Sequence, residues 1–449
     1  MIKSLIKATV ISGFTWPIVY LSTKFIADVS PISNDKNYKK ITLLAINPVR
    51  FRGDLEILAN SNNFRVLKVP LDWQCKILNL YWPKKIDFQK YYKPDPIKDQ
   101  SIIRLQSKLR TFLKIYLTAL YKKLGVDGVI GAGLNYKQDY DWGFVSEEIG
   151  VPYIVLVREN IANSAEWRND KLMQYERMKE FKGSYIIVHN RSMMDLVIQS
   201  GHITPDKISS LGCLRMDKYV KKVKVHNDDS NNKPFTGRKK TTLFSFAHGT
   251  GLGGLGVIKH YWSEKHGFVK LFEHVHVSFA KLAMENKEVD FIIKPKWGGR
   301  WVTMIDNVLR DNHIKVNNID NLCIIPDANV HDLIFESDVI CAFQSTTMLE
   351  AAIHADKKVI IPFFDEAKYI EYEGYIQSKD DYYLFDLANS VREFEEHIIE
   401  GLRMPKRLDD YLLQKRYRLF EKYVSSMEGN SLDKYTKVIK KVIKERQCA

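Results

Sequence analysis

The chain is 449 residues long, and 45% of its residues are hydrophobic while 27% are charged. This composition is ordinary for a globular protein, and the length exceeds what one compact core usually spans, so two domains are expected. The net charge of +14 favours anionic partners such as nucleotides, phosphorylated substrates, nucleic acid or an anionic membrane surface, whereas the five widely spaced cysteines argue against a disulfide framework or a zinc site and suit a reducing cytoplasm.

Residues 1–40 form an apolar and basic segment that precedes the first predicted strand. Its apolar run, Ala8–Leu21, is shorter than the roughly 20 residues that a membrane-spanning helix needs, and Pro17 interrupts it. Trp16 and Tyr20 suit the headgroup depth of a bilayer, so we expect a peripheral anchor on the inner face of the plasma membrane. The alternatives are a helix packed on the body of the protein and a signal peptide.

Short apolar runs alternate with helical patterns along the rest of the chain, which is typical of parallel α/β sheets. We predict a first Rossmann-like domain over residues 41–222, a polar linker over 223–240, a second Rossmann-like domain over 241–400 and basic helices over 401–449. The predicted fold class is therefore α/β, with two Rossmann-like domains facing a cleft and ligands at the carboxyl ends of the strands. Residues 102–125 are predicted to form an amphipathic helix with a basic face.

The stretch Asp338–Pro362 combines a buried strand, a polar turn, a helix and a second buried strand. Anions bind where a parallel strand delivers the chain to a helix N-terminus, because free N–H groups gather there. Thr347 and Glu350 stand in capping-box spacing, which predicts that Thr347 starts the helix and leaves the hydroxyls of Ser345 and Thr346 for a ligand. The alternative is an ordinary capped βα unit.

Two further segments of the second domain place candidate ligand-binding residues directly after a strand. The run His248–Gly256 contains GxGxxG spacing, and glycines such as Gly249 and Gly251 let the backbone approach a phosphate or a sugar closely. The histidine that opens this run is a candidate base or phosphate ligand, with a structural role as the alternative. Lys294 and Lys296 follow another strand, and clustered cations there favour a phosphate over a merely solvated basic loop.

In the first domain, charged residues follow two of the predicted strands. Arg52 and Asp54 lie in the loop after the first strand, while Arg158 and Glu159 end a later one. A carboxylate that leaves a buried strand into a cleft can have a raised pKa and act as a general base, which makes Glu159 a catalytic candidate. Arg215 lies near the end of this domain, where a salt bridge with the nearby aspartate is the alternative role.

The order of these segments resembles that of the GT-B glycosyltransferases that build bacterial surface carbohydrates, near the capsule-type transferases that use CMP-Kdo and, more distantly, the CDP-glycerol glycerophosphotransferases. The similarity covers most of residues 41–400. GVPYIVLVREN is similar to the family's strand ending in an acid, and ESDVICAFQSTTMLEAAIHADKKVIIP to its donor-site segment. Two positions depart from the family pattern, since Leu214 replaces the usual proline of G-x-P-R-x-D and Lys296 the common histidine of K-P-H.

The resemblance implies a role for each matching residue. The residues expected to bind a nucleotide-sugar donor are Lys294, Lys296, Gln344, Ser345, Thr346, Thr347, Glu350, Gly249 and Gly251. Those expected on the acceptor side are Arg52, Asp54, Arg158 and Arg215, with Glu159 and His248 as the catalytic candidates. Enzymes of this kind generally need no bound metal, because cations and a helix dipole stabilise the leaving nucleotide, so neither a cofactor nor a metal is expected. The pair Asp139 and Asp141 is accordingly not interpreted as a metal site.

The sequence thus predicts a metal-independent, cytoplasmic and membrane-associated glycosyltransferase. Its acceptor would be a surface glycan, such as capsule or lipopolysaccharide, or a lipid-linked precursor. Three alternatives stay open: a CDP-alcohol transferase that passes on glycerol phosphate or ribitol phosphate, a sugar-nucleotide epimerase, and a non-enzymatic basic protein that binds membranes or nucleic acid. A nucleic-acid partner is not expected, because no RNA- or DNA-binding motif is present.

Overall fold

The structure is a computed structural model, and it describes residues 15–31, 40–82, 88–158, 160–178, 180–228, 237–246, 267–404 and 407–448. The described chain divides into two compact units. The first comprises the described residues of Met1–Ile161, Asp170–Lys218 and Glu428–Ala449. The second comprises those of Ala162–Asn169 and Tyr219–Met427.

Thirteen strands are present in the described residues. They are β1 (Ala27–Asp28), β2 (Ile41–Ala45), β3 (Phe64–Lys68), β4 (Gly128–Gly131), β5 (Tyr153–Leu156), β6 (Tyr185–Val188), β7 (Ile208–Ser210), β8 (Lys240–Phe244), β9 (Asp290–Lys294), β10 (Leu322–Ile324), β11 (Val339–Ala342), β12 (Lys358–Pro362) and β13 (Asp386–Ala388).

Sixteen α-helices accompany them in the same residues. They are α1 (Trp16–Phe25), α2 (Asp54–Asn60), α3 (Leu71–Tyr81), α4 (Phe88–Tyr92), α5 (Gln100–Leu124), α6 (Lys137–Glu148), α7 (Ala165–Glu176), α8 (Arg191–Gln199), α9 (Asp217–Asp228), α10 (Val269–Glu285), α11 (Arg300–Asp311), α12 (Val330–Glu336), α13 (Thr346–Ala352), α14 (Val391–Arg403), α15 (Asp410–Tyr423) and α16 (Ser431–Cys448).

The first unit is built on a seven-stranded sheet in the order β1-β3-β2-β4-β5-β6-β7. Every neighbouring pair is parallel except β1 and β3. The chain starts its parallel strands at β2, adds β3 on one side and then adds β4 to β7 on the other. The strand order therefore reverses between β2 and β4, which is the topological switch point of a doubly wound sheet.

The second unit repeats this plan with a fully parallel six-stranded sheet in the order β10-β9-β8-β11-β12-β13. Its switch point lies between β8 and β11. Central strands such as β11 and β4 are buried along their whole length, because helices cover both faces of a parallel sheet and select continuous apolar runs. The predicted α/β class with two Rossmann-like domains is confirmed.

The predicted amphipathic helix is also confirmed, as α5. Its buried face carries apolar residues at helical spacing, among them Leu109, Leu113 and Leu120, while Lys108 and Lys114 are exposed on the opposite face. Gly125 ends the helix in a left-handed conformation with φ of 65°, which a side chain with a Cβ adopts at a cost. In the part of the chain that the structure describes, every helix is too short or too polar to traverse a lipid bilayer.

The basic helix α16 belongs to the first unit, although the residues before it belong to the second. Tyr435, Ile439 and Ile443 join the core cluster that lies against β2 and β3. The carboxylate of Asp217 accepts hydrogen bonds from the backbone N–H groups of Ser431 and the next residue, both at 3.0 Å, and so satisfies two of the free donors at the start of α16. Asp217 is thus a helix cap, and the salt bridge considered for it with Arg215 does not form.

Candidate functional site

The switch point of the second sheet brings together two of the predicted ligand-binding segments. Because β8 has β9 on one side and β11 on the other, the carboxyl ends of these three parallel strands lie side by side at one edge of the sheet. Lys294 ends β9, and Gln344 is the second residue after β11. The glycine-rich run after β8, with His248, Gly249 and Gly251, lies outside the described residues.

Gln344 gives the turn after β11 its shape. Its backbone has φ of 52°, in the left-handed region that is strained for a residue with a Cβ. The side chain compensates with two hydrogen bonds to the segment after β12, because its Nε2 donates to the carbonyl of Tyr375 at 3.0 Å and its Oε1 accepts from the N–H of Gln377 at 2.8 Å. Gln344 therefore braces the turn, and because its NH₂ group has two N–H donors, one is left for a ligand. Its role in donor binding stays a prediction.

The helix after this turn has its N-cap two residues earlier than the capping-box spacing predicts. Ser345 is the N-cap of α13, where its Oγ accepts from the N–H of Thr347 at 3.2 Å and donates to the Thr347 hydroxyl at 3.0 Å. The prediction that Thr347 caps the helix and leaves Ser345 free is wrong, since Ser345 uses its hydroxyl inside the turn. The half-buried Thr346 keeps a hydroxyl without a partner within the described part of the chain.

Glu350 is held by two aromatic residues that the sequence did not single out as ligand-binding. Its Oε2 lies 3.1 Å from Nε2 of His331, and its backbone carbonyl accepts from the hydroxyl of Tyr219 at 2.7 Å. The rings of His331 and Tyr219 stack with centroids 3.9 Å apart. The second carboxylate oxygen, Oε1, has no partner in the described residues, so the carboxylate is fixed in direction and still able to accept a hydrogen bond.

The ammonium group of Lys294 is largely buried and already partly paired. It donates to the carbonyls of Pro295 at 2.8 Å and of Pro326 at 2.7 Å. An ammonium group has three donors, so one remains for an anion. Burial lowers the pKa of Lys294, and the nearby Asp327 opposes that shift. Lys296 is exposed, with its ammonium group 4.8 Å from the ring centre of Trp297.

The switch point of the first sheet carries a buried ion pair between two predicted acceptor residues. Arg158, just after β5, donates from Nη1 to Oδ2 of Asp54 at 2.9 Å and from Nε to the carbonyl of Arg50 at 3.0 Å. Both side chains are at most 5% exposed. Burial raises the pKa of Asp54 to about 6 although the charge of Arg158 opposes the shift. The structure thus brings Asp54 and Arg158 together as a buried ion pair, in which Oδ1 of Asp54 has no hydrogen-bond partner among the described residues.

Asp139, at the start of α6, faces the same switch point. Its carboxyl group lies 3.5 Å from both the Asn47 and the Gln74 side-chain amides and lines a cavity of about 30 Å³. Burial raises the pKa of Asp139 to about 8, so that it holds its proton at neutral pH. Asp141 is buried as well and accepts from Arg110 at 2.8 Å. The two carboxyl groups therefore have separate protein partners.

The remaining predicted residues of the first unit differ in exposure. Arg52 is exposed and has φ of 48°. Arg215 is half-buried, and its Nη1 has no hydrogen-bond partner among the described residues. Its turn, Leu214–Met216, packs against α2, the helix that Asp54 begins. Glu159 lies outside the described residues, so its catalytic role stays a prediction.

No family model matches the sequence, and no curated relative matches it either. The fold is that of solved two-domain enzymes of the GT-B class. A protein from Listeria monocytogenes assigned as a UDP-N-acetylglucosamine 2-epimerase superposes with a TM-score of 0.50 at 11% identity, over 91% of this chain and 98% of that chain.

Two further solved structures are similar over comparable lengths. One is a glycosyltransferase from Rickettsia africae, with a TM-score of 0.47 at 12% identity over 91% of this chain and 100% of that chain. The other is MurG from Acinetobacter baumannii, with a TM-score of 0.45 at 12% identity over 90% of this chain and 100% of that chain. At such identities the similarity concerns the fold alone.

Proposed function

We propose that the chain is a glycosyltransferase that takes its sugar from a nucleotide-sugar donor. The observation that carries this proposal is the convergence of Lys294, Thr346 and Glu350 at the switch point of the second sheet, each with hydrogen-bonding capacity left. Ligands of open α/β sheets bind outside the carboxyl ends of the strands at such a point. The net charge of +14 suits an anionic donor.

The phosphates of the donor would lie against the turn after β11. There the Thr346 hydroxyl and the third N–H of Lys294 would donate to phosphate oxygens, and the exposed Lys296 would add a second positive charge. Negative charge grows on these oxygens as the bond to the sugar breaks. Cations fixed in place before the reaction stabilise that charge without a metal ion.

The ribose of the donor would be bound by Glu350. Oε1 of its carboxylate would accept from a ribose hydroxyl, while His331 holds Oε2 and Tyr219 holds the backbone carbonyl. These two partners fix the direction of the acceptor oxygen before the nucleotide arrives, which lowers the entropy cost of binding.

The acceptor would be a surface glycan or its lipid-linked precursor, recognised by the first unit. Arg52 and Arg215 have donors that suit its hydroxyl or phosphate groups, whereas Asp54 and Arg158 shape the site through their ion pair. In the transfer step, the acceptor hydroxyl loses its proton to a base, for which Glu159 and His248 are the candidates from the sequence. Its oxygen then bonds to the anomeric carbon as the nucleotide leaves.

The first experiment is calorimetry of the purified chain with CMP, CDP, UDP, GDP and ADP. We expect one nucleotide to bind tightly, and Glu350→Gln and Thr346→Ala each to weaken it about tenfold, or about 1.4 kcal/mol. Glu336→Gln and Thr303→Ala are matched controls, because both side chains are at the surface of the same unit. Equal binding by all four variants, or no nucleotide binding by a folded parent, would refute the proposed donor site.

The alternatives give different products with the same nucleotide site. A CDP-alcohol transferase would release CMP and leave phosphate in the acceptor product, and a sugar-nucleotide epimerase would convert its substrate without any acceptor. Incubation of the chain with the matching nucleotide sugar, with and without a glycan acceptor, separates these outcomes by mass. A non-enzymatic binding protein would show no conversion in either case.

We also propose that α1 rests on an anionic membrane surface. One face of this helix packs on α5, where the Ser22 hydroxyl lies 2.6 Å from that of Tyr116. The face away from the buried residues exposes Trp16 by 64% and Tyr20 by 45%, and Phe25, the last residue of the helix, is 56% exposed. Aromatic side chains of this kind favour the membrane interface. Because α1 is packed on the protein, these rings lie at the protein surface, where a bilayer can contact them.

Flotation with vesicles containing phosphatidylserine tests the membrane proposal. The double variant Trp16→Ala, Tyr20→Ala should lose most of the bound fraction, since two large aromatic groups leave the contact. The matched control replaces Tyr383 and Tyr411, which are 69% and 72% exposed on the second unit, and it should bind like the parent. Loss of binding in the control alone would contradict a role for α1.

A further inference from the structure

A group of three metal-binding side chains lies in the second unit and takes no part in the proposed donor site. It consists of His226 on α9 together with His354 and Asp356, which follow α13. Each residue offers a ligand atom, and these atoms lie within 4.8 Å of one another. Among the described residues, no other group of three or more histidine, cysteine, aspartate or glutamate side chains has ligand atoms this close together.

The hydrogen bonds of His354 determine which of its ring nitrogens carries the proton. Its Nε2 lies 2.9 Å from the hydroxyl oxygen of Tyr219. That hydroxyl has one proton, which it donates to the carbonyl of Glu350 at 2.7 Å. Nε2 of His354 must therefore be the donor to Tyr219, and Nδ1 must carry a lone pair.

The lone pair on Nδ1 of His354 is buried and has no hydrogen-bond partner. His354 is fully buried, and burial disfavours a charged imidazolium, so the ring is neutral. A buried acceptor without a partner is costly, and such atoms are uncommon in folded proteins. Oδ1 of Asp356 is a second buried acceptor without a partner at the same place. Two unpaired acceptors beside a histidine are what a cation would satisfy.

We propose that His226, His354 and Asp356 bind one Zn²⁺ ion. Two imidazoles and one carboxylate are a common set of zinc ligands, and this borderline-soft donor set disfavours Ca²⁺ and Mg²⁺, which prefer oxygen alone. The side chain of His226 is 26% exposed, which gives the ion a path from solvent and leaves room for a water molecule as fourth ligand. Cysteine plays no part in this site, so the spacing of the cysteines gave no sign of it.

Neighbouring groups already supply the outer hydrogen bonds that such a site needs. Tyr219 accepts from Nε2–H of His354 and fixes its ring, as the outer partners of zinc-bound histidines do. Lys357 lies 3.3 Å from Oδ2 of Asp356 and is held by the carbonyl of Phe335 at 3.0 Å. His226 lies 3.0 Å from the same Oδ2, and zinc would take the place of the proton that they share.

Zinc at this place would join α9 to the segment after α13. Tyr219 contacts His354 with the same hydroxyl that it donates to the carbonyl of Glu350. The ion would therefore steady a residue of the proposed donor site through two hydrogen bonds, without contacting the nucleotide. Its role is structural, and it leaves the transfer step independent of metal.

The test is zinc binding by the full chain without a polyhistidine tag, measured by calorimetry and by metal analysis after gel filtration. We expect one Zn²⁺ per chain, and at least a tenfold loss of affinity in His226→Ala and in Asp356→Asn, both of which alter side chains near the surface. His274→Ala is the matched control, because His274 pairs with Asp365 at 2.7 Å in the same unit but without a third ligand.

Each outcome decides the proposal. Tetrahedral Co²⁺ absorption that disappears in His226→Ala and persists in His274→Ala supports it, as does a Tm that rises with zinc in the parent and in the control only. No zinc binding by the parent would overturn it. Equal binding by all variants would also overturn it and would mean an adventitious ion only. Nucleotide binding is measured separately, so failure here leaves the donor site untouched.

Discussion

The two switch points have the same topology but carry different polar side chains. In the first sheet, Asp54 and Arg158 form a buried ion pair, and Oδ1 of Asp54 is buried without a hydrogen-bond partner among the described residues. In the second sheet, His331 holds one carboxylate oxygen of Glu350, while the other oxygen and the Thr346 hydroxyl have no partner in the described part of the chain. Equal backbone plans therefore do not imply equal sites, because an ion pair occupies the first switch point and, within the residues described, no such pair occupies the turn after β11.

The largest effect is expected from breaking the buried ion pair between Asp54 and Arg158. Arg158→Ala leaves the buried carboxylate of Asp54 without its cation, which should cost about 3 to 5 kcal/mol of unfolding free energy in urea titrations. Arg191→Ala is the control, because Arg191 pairs with Asp195 at the surface and should lose less than about 1 kcal/mol. Similar losses of unfolding free energy in the two variants would contradict the expectation that the pair at the switch point contributes more than a surface ion pair.

A smaller effect is expected from Asp139, whose raised pKa of about 8 makes stability depend on pH. The folded chain keeps this proton, while the unfolded chain releases it near pH 4, so the parent loses stability as the pH rises from about 4 to about 8. Asp139→Asn does not titrate, and its amide replaces a neutral carboxyl group of the same shape. The unfolding free energy of the variant minus that of the parent should therefore increase by about 2 kcal/mol or more when the pH rises from 5 to 8.

Unfolding in urea at both pH values measures this gain. The control is Asp72→Asn, because the side chain of Asp72 is 85% exposed and its replacement should leave the difference from the parent the same at both pH values. A difference between Asp139→Asn and the parent that does not change with pH would contradict a protonated Asp139.

The smallest effect compares two neighbours within the open turn. Ser345→Ala removes the N-cap of α13 and should cost about 1 kcal/mol of stability, whereas Thr346→Ala should cost less than about 0.5 kcal/mol. Thermal unfolding measures both. The order should reverse for nucleotide affinity, with Thr346→Ala the weaker binder, and a Ser345→Ala variant that is fully stable but unable to bind would contradict the assignment of the cap.

Local patterns in the sequence predicted most of the fold, because buried parallel strands are continuous apolar runs that stand out from their polar loops. The prediction of α5 succeeded for a similar reason, since its apolar residues keep helical spacing over its whole length. The cap of α13 was wrongly assigned to Thr347, because Ser345 and Thr347 are both good capping residues and only the turn set by Gln344 decides between them.

Contacts between segments that are distant along the chain could not be predicted from the sequence. His331 meets Glu350 and Tyr219 only because three separate helices converge, and no spacing along the chain reports this. The pairing of Asp54 with Arg158 likewise depends on the strand order of the first sheet. The sequence singled out charged residues at strand ends, but whether each of them forms an ion pair depends on neighbours far along the chain.

The placement of α16 has a consequence for how the protein is made. Tyr435 and Ile439 complete the core of the first unit, yet the ribosome synthesises them only after the whole second unit. During translation, the apolar surface around β2 and β3 stays uncovered until α16 has been synthesised. Until then, this surface can aggregate or bind a chaperone. The first unit therefore finishes folding after the second has been released from the ribosome tunnel, although its residues emerge first.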